Sequence, residues 1–289
     1  MSRIRARRPD KSNPTIAGLT TWTGRIADRE PTRQRFFDGA VARARELGYA
    51  LAEFGAFTPE MTIQRLDGIL RARGIDGLLI FPLEKPVLLP FGWERFASAT
   101  IGYTFDQVPL HRAAPAYFEN AVIALRELQR RGYRRVGLVD TPALRDRLLR
   151  NWLGAFCAWQ CDFGPASPEA ILEINADDEH RFRSWMTHYR PDAIIYGGLP
   201  VYSWIAAMGL AAPRDLGLVA LCVAGTPKGV RLARVVEKPE VVGAAAIDLI
   251  VEQLQRNEIG LPRDPKDVFI TGQWVEGFSV GALGEAEST

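Results

Sequence analysis

The alternation of short apolar runs with longer segments of helical periodicity is the feature that most constrains the fold of this chain. GLLIF at 77–81 is apolar at every position, as strands buried on both faces of a parallel sheet are. Just before it, Ile63, Leu66 and Ile69 recur at the spacing of one helix face, and Gly74 stands where a helix C-cap glycine is expected. This alternation predicts an α/β fold built on parallel sheets.

The same alternation continues along the chain and predicts two lobes. About ten strand and helix pairs exceed what one open sheet accommodates. A helix predicted over 240–257 has no evident place in the second lobe, so we assign it to the first. The other predicted strands are TIAGLT, YALAEF, RRVGLVD, AILEI, AIIY and LVALC. We expect an N-terminal lobe over residues 14–131 and about 239–266, a C-terminal lobe over 132–238 and about 267–280, and a tail over 281–289.

Composition and charge exclude several classes of protein. No apolar run approaches the roughly 20 residues of a membrane span, and the N-terminal MSRIRARRPDKSNP lacks the apolar centre of a signal peptide, so we expect no membrane contact and a cytoplasmic protein. The net charge is +2, but the first eleven residues carry +4 and the rest therefore −2. The body of the chain is thus not a basic surface of the kind that grips nucleic acid phosphates.

Signatures of catalysis, cofactor binding and metal binding are missing from the sequence. It contains no GxGxxG, no GxxxxGK[ST] and no GxSxG, and its three cysteines and three histidines follow no ligand spacing. We therefore expect no enzyme, no cofactor and no metal site. Gly197 and Gly198 follow the strand AIIY, where they suit either a ligand at a helix N-terminus or a tight turn. Trp22 follows the first strand, where ligand stacking and local packing are both open.

Several segments, in order, resemble the sensor region of LacI and GalR type bacterial transcriptional regulators. RFFDGAVARARELGYAL and LDGILRARGIDGLLIFPL resemble the family's first lobe, and NAVIALRELQRRGYRRVGLVD resembles the start of its second, with Tyr133 at the usual histidine. RPDAIIYGG, APRDLGLVAL and ARVVEKPEVVGAAAIDLIVEQL resemble three further family segments. The resemblance covers about residues 14–280 and implies two Rossmann-like lobes of the type I periplasmic-binding-protein fold.

The resemblance also implies a function and partners. A regulator's sensor closes two lobes around a small-molecule effector, such as a sugar or sugar derivative, and thereby changes DNA affinity. The family's DNA-reading module precedes the sensor, so residues 1–13 are expected to be a basic linker remnant, and operator DNA is expected to bind only through a module outside this chain. A homodimer is implied as well, with the helix of Ile63, Leu66 and Leu70 and the segment VLLPFGWERF as candidate interfaces. The alternatives are a free solute-binding protein, which would be exported and monomeric, and an α/β enzyme.

The family's ligand positions carry different residues in this chain. Its acidic residue after the last strand of lobe one falls on Glu119, and its Asn-Asp pair falls on Gly198 and Leu199. Its strand-end aspartate falls on Cys222, and its arginine falls near Asn151 or Trp152, with Arg150 as a neighbouring substitute. A sugar pocket without these partners leaves hydroxyls unpaired. We therefore expect this pocket either to bind a different, less polar or differently oriented ligand, or to have lost small-molecule sensing. The candidate ligand-binding residues are Trp22, Thr23, Glu119, Arg150, Tyr196, Gly198, Cys222 and Glu237.

Overall fold

The computed structural model describes residues 13–21, 31–55, 61–83, 88–163, 167–222, 226–227 and 229–281. The strands, numbered in chain order, are β1 Thr15–Thr20, β2 Ala50–Gly55, β3 Gly77–Ile80, β4 Ala97–Ile101, β5 His111–Pro115, β6 Val136–Asp140, β7 Ile171–Glu173, β8 Ala193–Gly197, β9 Gly217–Cys222, β10 Ala233–Val236, β11 Asp267–Ile270 and β12 Gln273–Val275. The helices are α1 Pro31–Glu46, α2 Ile63–Ala72, α3 Tyr117–Arg130, α4 Pro142–Arg147, α5 Asn151–Phe163, α6 Glu179–Tyr189, α7 Val201–Ala207 and α8 Pro239–Arg256.

The chain forms two units, each built around one six-stranded sheet. Unit 1 comprises the residues up to Ala114 and Pro239–Ile270, and unit 2 comprises Pro115–Lys238 and the residues from Thr271. The sheet of unit 1 has the order β11-β5-β4-β3-β1-β2, and the sheet of unit 2 has the order β12-β10-β9-β8-β6-β7. The central strands pair in parallel in both sheets, while β12 pairs antiparallel with β10. The predicted α/β class with two parallel sheets is confirmed.

Helices α1 and α8 of unit 1 approach each other until their backbones touch. A Cβ atom on Gly39 would lie 2.0 Å from the carbonyl oxygen of Glu240, and one on Gly243 would lie 2.0 Å from that of Phe36. Only glycine permits this distance. Arg35 donates hydrogen bonds to both carboxylate oxygens of Glu240 at the same crossing. Helix α8, which comes more than 190 residues after α1 in the sequence, therefore completes the core of unit 1.

The segments that suggested a dimer interface are largely in the core of unit 1. Ile63, Leu66 and Leu70 of α2 are buried in the same cluster as Leu89 and Phe91. The apolar face of α2 packs on the sheet of its own unit, so it is an internal packing surface. Among the large apolar residues of VLLPFGWERF that the structure describes, only Leu88 is exposed, to 78%.

Helix α3 belongs to unit 2, whereas the sequence placed it in the first lobe. Its buried residues Ala121, Leu125 and Leu128 share a core cluster with Val136 and Leu138 of β6. The division falls at Ala114 because the apolar face of α3 packs on the sheet that follows it. Within the described ranges, no helix is long and apolar enough to cross a membrane.

Candidate functional site

The ends of the parallel strands in unit 2 form the edge at which open α/β sheets bind ligands. Strands β7, β6, β8, β9 and β10 run parallel as neighbours, so their last residues meet along one side, here called the carboxyl edge. Strand β12 starts at the same side, since Gln273 is the register partner of Val236. Five strand ends and the first residues of the helices that follow them therefore determine what this edge can bind.

A charged network covers the ends of β6 and β7. Asp140, the last residue of β6, is 1% exposed, and Arg145 of α4 donates to both of its oxygens, at 2.6 and 3.3 Å. Arg145 also pairs with Glu173 at the end of β7. Burial raises the pKa of the Asp140 carboxyl, and the Arg145 guanidinium opposes that rise. The network holds α4 against the edge and leaves Glu173 partly exposed.

The end of β8 is covered by apolar side chains. A Cβ atom on Gly197 would lie 2.3 Å from Cζ3 of Trp152 and 3.1 Å from Cδ2 of Leu144. Gly198 has a φ of 71°, in the left-handed region that favours glycine. Packing and backbone conformation therefore account for the glycine pair, which favours the turn interpretation over direct ligand contact. Trp152 is 2% exposed, so the indole is part of the core.

Tyr196 and Cys222 lie on neighbouring strands at the middle of the edge. The Tyr196 side chain is fully buried, with its hydroxyl 3.5 Å from the Thr226 hydroxyl, and burial raises its pKa to about 12. It therefore packs in the core and does not present a surface to a ligand. Cys222 ends β9 opposite Gly197, and its side chain is half-buried.

Three predicted charged residues lie around the edge. Glu119, in the first turn of α3, is exposed and accepts a 2.7 Å hydrogen bond from the Thr271 hydroxyl. Thr271 stands two residues before Gln273, so this contact lies near the end of β10. Glu237 follows β10 and is half-buried. Arg150 is exposed in the turn between α4 and α5.

Sequence reasoning missed the network of Asp140, Arg145 and Glu173, and two of its candidates cannot be placed. Trp22 and Thr23 lie outside the described residues. A usable signal for the network was present, because Asp140 is the one polar residue of the run VGLVD and Arg145 follows it by five positions. Neither feature shows that Glu173 of a different strand completes the pair.

A cavity of about 420 Å³ in unit 1 lies at the opposite end of its strands. Its lining includes His111, the first residue of β5, and the loop that follows α8. The Nδ1 atom of His111 accepts a 2.9 Å hydrogen bond from the Lys266 amide, and burial lowers the pKa of the imidazole. Lys266 and Arg256 both pair with Glu252. These polar groups are thus engaged by the protein itself.

The carboxyl edge of unit 2 offers hydrogen-bonding and charged groups around an apolar centre. Carboxylates accept hydrogen bonds from ligand hydroxyls, and a guanidinium donates to anionic or hydroxyl oxygens. In the part of the chain that the structure describes, no three His, Cys, Asp or Glu side chains are grouped so that they could hold a metal ion. The arrangement is suited to binding a small molecule.

Comparisons with known proteins place the chain beside binding domains and regulators. A model of the family described as periplasmic binding protein-like domain matches residues 125–280. The fold is similar to a LacI-family transcriptional regulator from Rhizobium etli, with a TM-score of 0.70 and 19% identity over 94% of this chain and 100% of that one. It is similar to a LacI-family regulatory protein from Chloroflexus aggregans, with a TM-score of 0.69 and 18% identity over 92% and 98%.

A third similar structure contains a sugar. The transcriptional regulator CelR in complex with cellobiose has a TM-score of 0.68 and 16% identity, over 93% of this chain and 86% of that one. No curated protein matches the sequence. The descriptions of these similar proteins name binding domains and regulators, not enzymes.

Proposed function

Because the chain belongs to the periplasmic binding protein-like domain family, we propose that it is the effector-sensing and dimerising region of a LacI-type transcriptional regulator. The observation that carries the proposal is the similarity of the whole two-unit fold to regulators of that family over more than nine-tenths of the chain. In this proposal, effector binding biases an equilibrium between two states with different DNA affinity. Operator DNA is bound through a module outside this chain, and the protein works in the cytoplasm.

The proposed effector site uses the carboxyl edge of unit 2. Glu119, Glu237 and Arg150 supply exposed or half-buried charged groups there, and Cys222 and Gly198 belong to its apolar centre. Trp22 and Thr23 remain proposed ligand contacts on sequence grounds. Similarity to a cellobiose-bound regulator supports a carbohydrate-like effector, and the apolar centre supports one less polar than an ordinary sugar.

Thermal melting against a ligand panel tests the sensing role. The panel contains cellobiose and glucose, sugar acids, sugar phosphates and purines. A ligand at 100 times its dissociation constant adds about 2.7 kcal/mol, which raises the melting temperature of a chain of this size by roughly 5 °C. We expect one ligand class to produce such a shift. No shift with any member at 10 mM would contradict a sensor for these classes.

The oligomeric state separates a regulator from a free solute-binding protein of the same fold. A regulator that reads a two-fold symmetric operator requires a homodimer. We expect light scattering at tens of micromolar to give twice the chain mass of 32.1 kDa. A monomer at this concentration would favour the solute-binding protein instead.

A further inference from the structure

Helix α5 carries two cysteines on its outer face. Cys157 and Cys161 are both exposed free thiols, and they are two of the three cysteines in the chain. A free cysteine is among the residue types that are most often buried in folded proteins. Core packing therefore does not account for either of these two residues.

The periodicity of α5 puts both cysteines near the middle of its exposed face. The opposite face is defined by the buried residues of the helix, which are Trp152, Ala155, Phe156 and Gln160. Residues four positions apart lie one above the other on a helix, so Cys161 stands one turn beyond Cys157. Gly154 and Ala158, which lie beside them on this face, are small and exposed. They leave the region around both thiols open to solvent.

The spacing of the two cysteines suits a metal ion between the sulfurs better than a bond between them. Side chains at this spacing have Cβ atoms about 5–6 Å apart, whereas a disulfide holds its Cβ atoms about 3.5–4.5 Å apart. Two metal–sulfur bonds of about 2.3 Å each, arranged in line, separate two sulfurs by about 4.6 Å. Thiols on consecutive turns can reach that separation while the helix stays intact.

The number of protein ligands selects the kind of ion. Zinc in structural sites takes four protein ligands. Among the residues that the structure describes, no three His, Cys, Asp or Glu side chains are grouped to hold an ion. Thiolates prefer soft ions such as copper(I). Copper(I) binds two sulfurs in a linear arrangement, so two thiolates complete its coordination.

We propose that Cys157 and Cys161 bind one soft monovalent metal ion, copper(I), as a two-coordinate bridge between consecutive turns of α5. Each thiol loses its proton as its sulfur–copper bond forms, so both protons are released and the copper keeps its oxidation state. No oxidant or reductant takes part in the step. The site lies on unit 2 and does not depend on the proposed effector site.

Titration with copper(I) in competition with the chelator bathocuproine disulfonate, under anaerobic and reducing conditions, tests the proposal on the whole chain. We expect wild type to take one copper(I) per chain from the chelator, with new thiolate-to-copper absorption in the ultraviolet. Cys157→Ser and Cys161→Ser each leave one thiol of the pair. We expect each to lose about 100-fold or more in affinity, because the second bond is then no longer intramolecular. Zinc, which requires more ligands, should displace copper(I) only in large excess.

A matched control separates the spacing of the thiols from their number. The double variant Cys161→Ser, Asp162→Cys keeps two exposed thiols on α5 but moves the second about 100° around the helix. We expect it to bind copper(I) as weakly as Cys161→Ser does. All of these positions are exposed, so the circular dichroism of each variant should match that of wild type.

Several outcomes would overturn the inference. Wild type that takes no copper(I) would do so, as would equal affinity in wild type and the single serine variants. Equal affinity in the double variant would show that the helix spacing does not matter. One ion per two chains would place the ion between copies, and displacement by zinc at equal concentration would require more than two protein ligands. None of these outcomes bears on effector binding, which thermal melting measures separately.

Discussion

Two neighbouring corners of one sheet edge have opposite chemistry. At the ends of β6 and β7, Asp140 and Glu173 share Arg145, whereas at the end of β8 the backbone of Gly197 is pressed by Trp152 and Leu144. Leu144 and Arg145 are consecutive residues of α4, so this short helix contacts the end of β8 and the ends of β6 and β7. The comparison shows that strand ends alone do not make a ligand site, because the next helix decides which ends remain accessible.

Among the changes at this sheet edge, removing the Trp152 indole should have the largest effect on the free energy of unfolding. We expect Trp152→Ala to reduce the free energy of unfolding by about 3–5 kcal/mol, because it leaves a cavity over Gly197. Trp159→Ala, on the same helix but only half-buried, should cost clearly less. Urea denaturation measures both. A loss below about 1 kcal/mol for Trp152→Ala would show that the apolar corner is not a packed contact.

The charged corner should respond to the loss of its guanidinium. Arg145→Met leaves the buried Asp140 carboxylate without its partner, and we expect a loss of about 3 kcal/mol at pH 7. The double variant Arg145→Met, Asp140→Asn removes the unpaired charge and should recover part of that loss. Arg130→Met is the control, since Arg130 belongs to an exposed pair worth at most about 1 kcal/mol. Equal losses in the two single variants would argue against a buried network.

Adding a methyl group at Gly198 should have a smaller effect. The left-handed φ of 71° costs a residue with a Cβ atom about 1–2 kcal/mol, while the nearest atom, Cδ2 of Leu144, would be an acceptable 3.4 Å away. Gly154→Ala is the opposite case. Gly154 is helical, and an added Cβ atom would lie 3.8 Å from Cε2 of Phe118, an ordinary van der Waals contact, so alanine should stabilise the helix by up to about 1 kcal/mol. If the melting temperatures of Gly198→Ala and Gly154→Ala moved in the same direction, the left-handed φ of Gly198 would not be the cause of the difference.

The pH dependence of Asp140 should give the smallest effect. Because its pKa is raised in the folded state, the folded protein binds this proton first as the pH falls. The resulting stabilisation is fully present below the unfolded pKa of about 4 and is lost as the pH rises through the folded pKa. We therefore expect the unfolding free energy of wild type, relative to Asp140→Asn, to increase as the pH falls from about 7 to 4. Urea denaturation at several pH values measures this difference, and a decrease would contradict it.

The sequence predicted the strands of this edge better than the side-chain contacts between them. AIIY and LVALC are continuous apolar runs, so β8 and β9 were predicted from the apolar pattern of the sequence alone. ASATI and HRAAP are neither uniformly apolar nor alternating, so β4 and β5 were missed. The contacts of Arg145 with Glu173 and of Trp152 with Gly197 join residues 28 and 45 positions apart. Such pairs depend on how α4 and α5 return over the sheet, which no local pattern specifies.

The crossing of α1 and α8 sets the order in which this protein can fold during synthesis. Phe36, Ala40 and Ala44 of α1 share their core cluster with Val242 and Ala246, about 200 residues later. A nascent chain that has reached residue 230 has made the central strands of both sheets, yet it still exposes the apolar face of α1 to water. Contacts this distant in sequence form slowly and leave apolar surface open to aggregation. Residues 239–275 thus act as a late closing segment for both units, and translation must reach them before either core is complete.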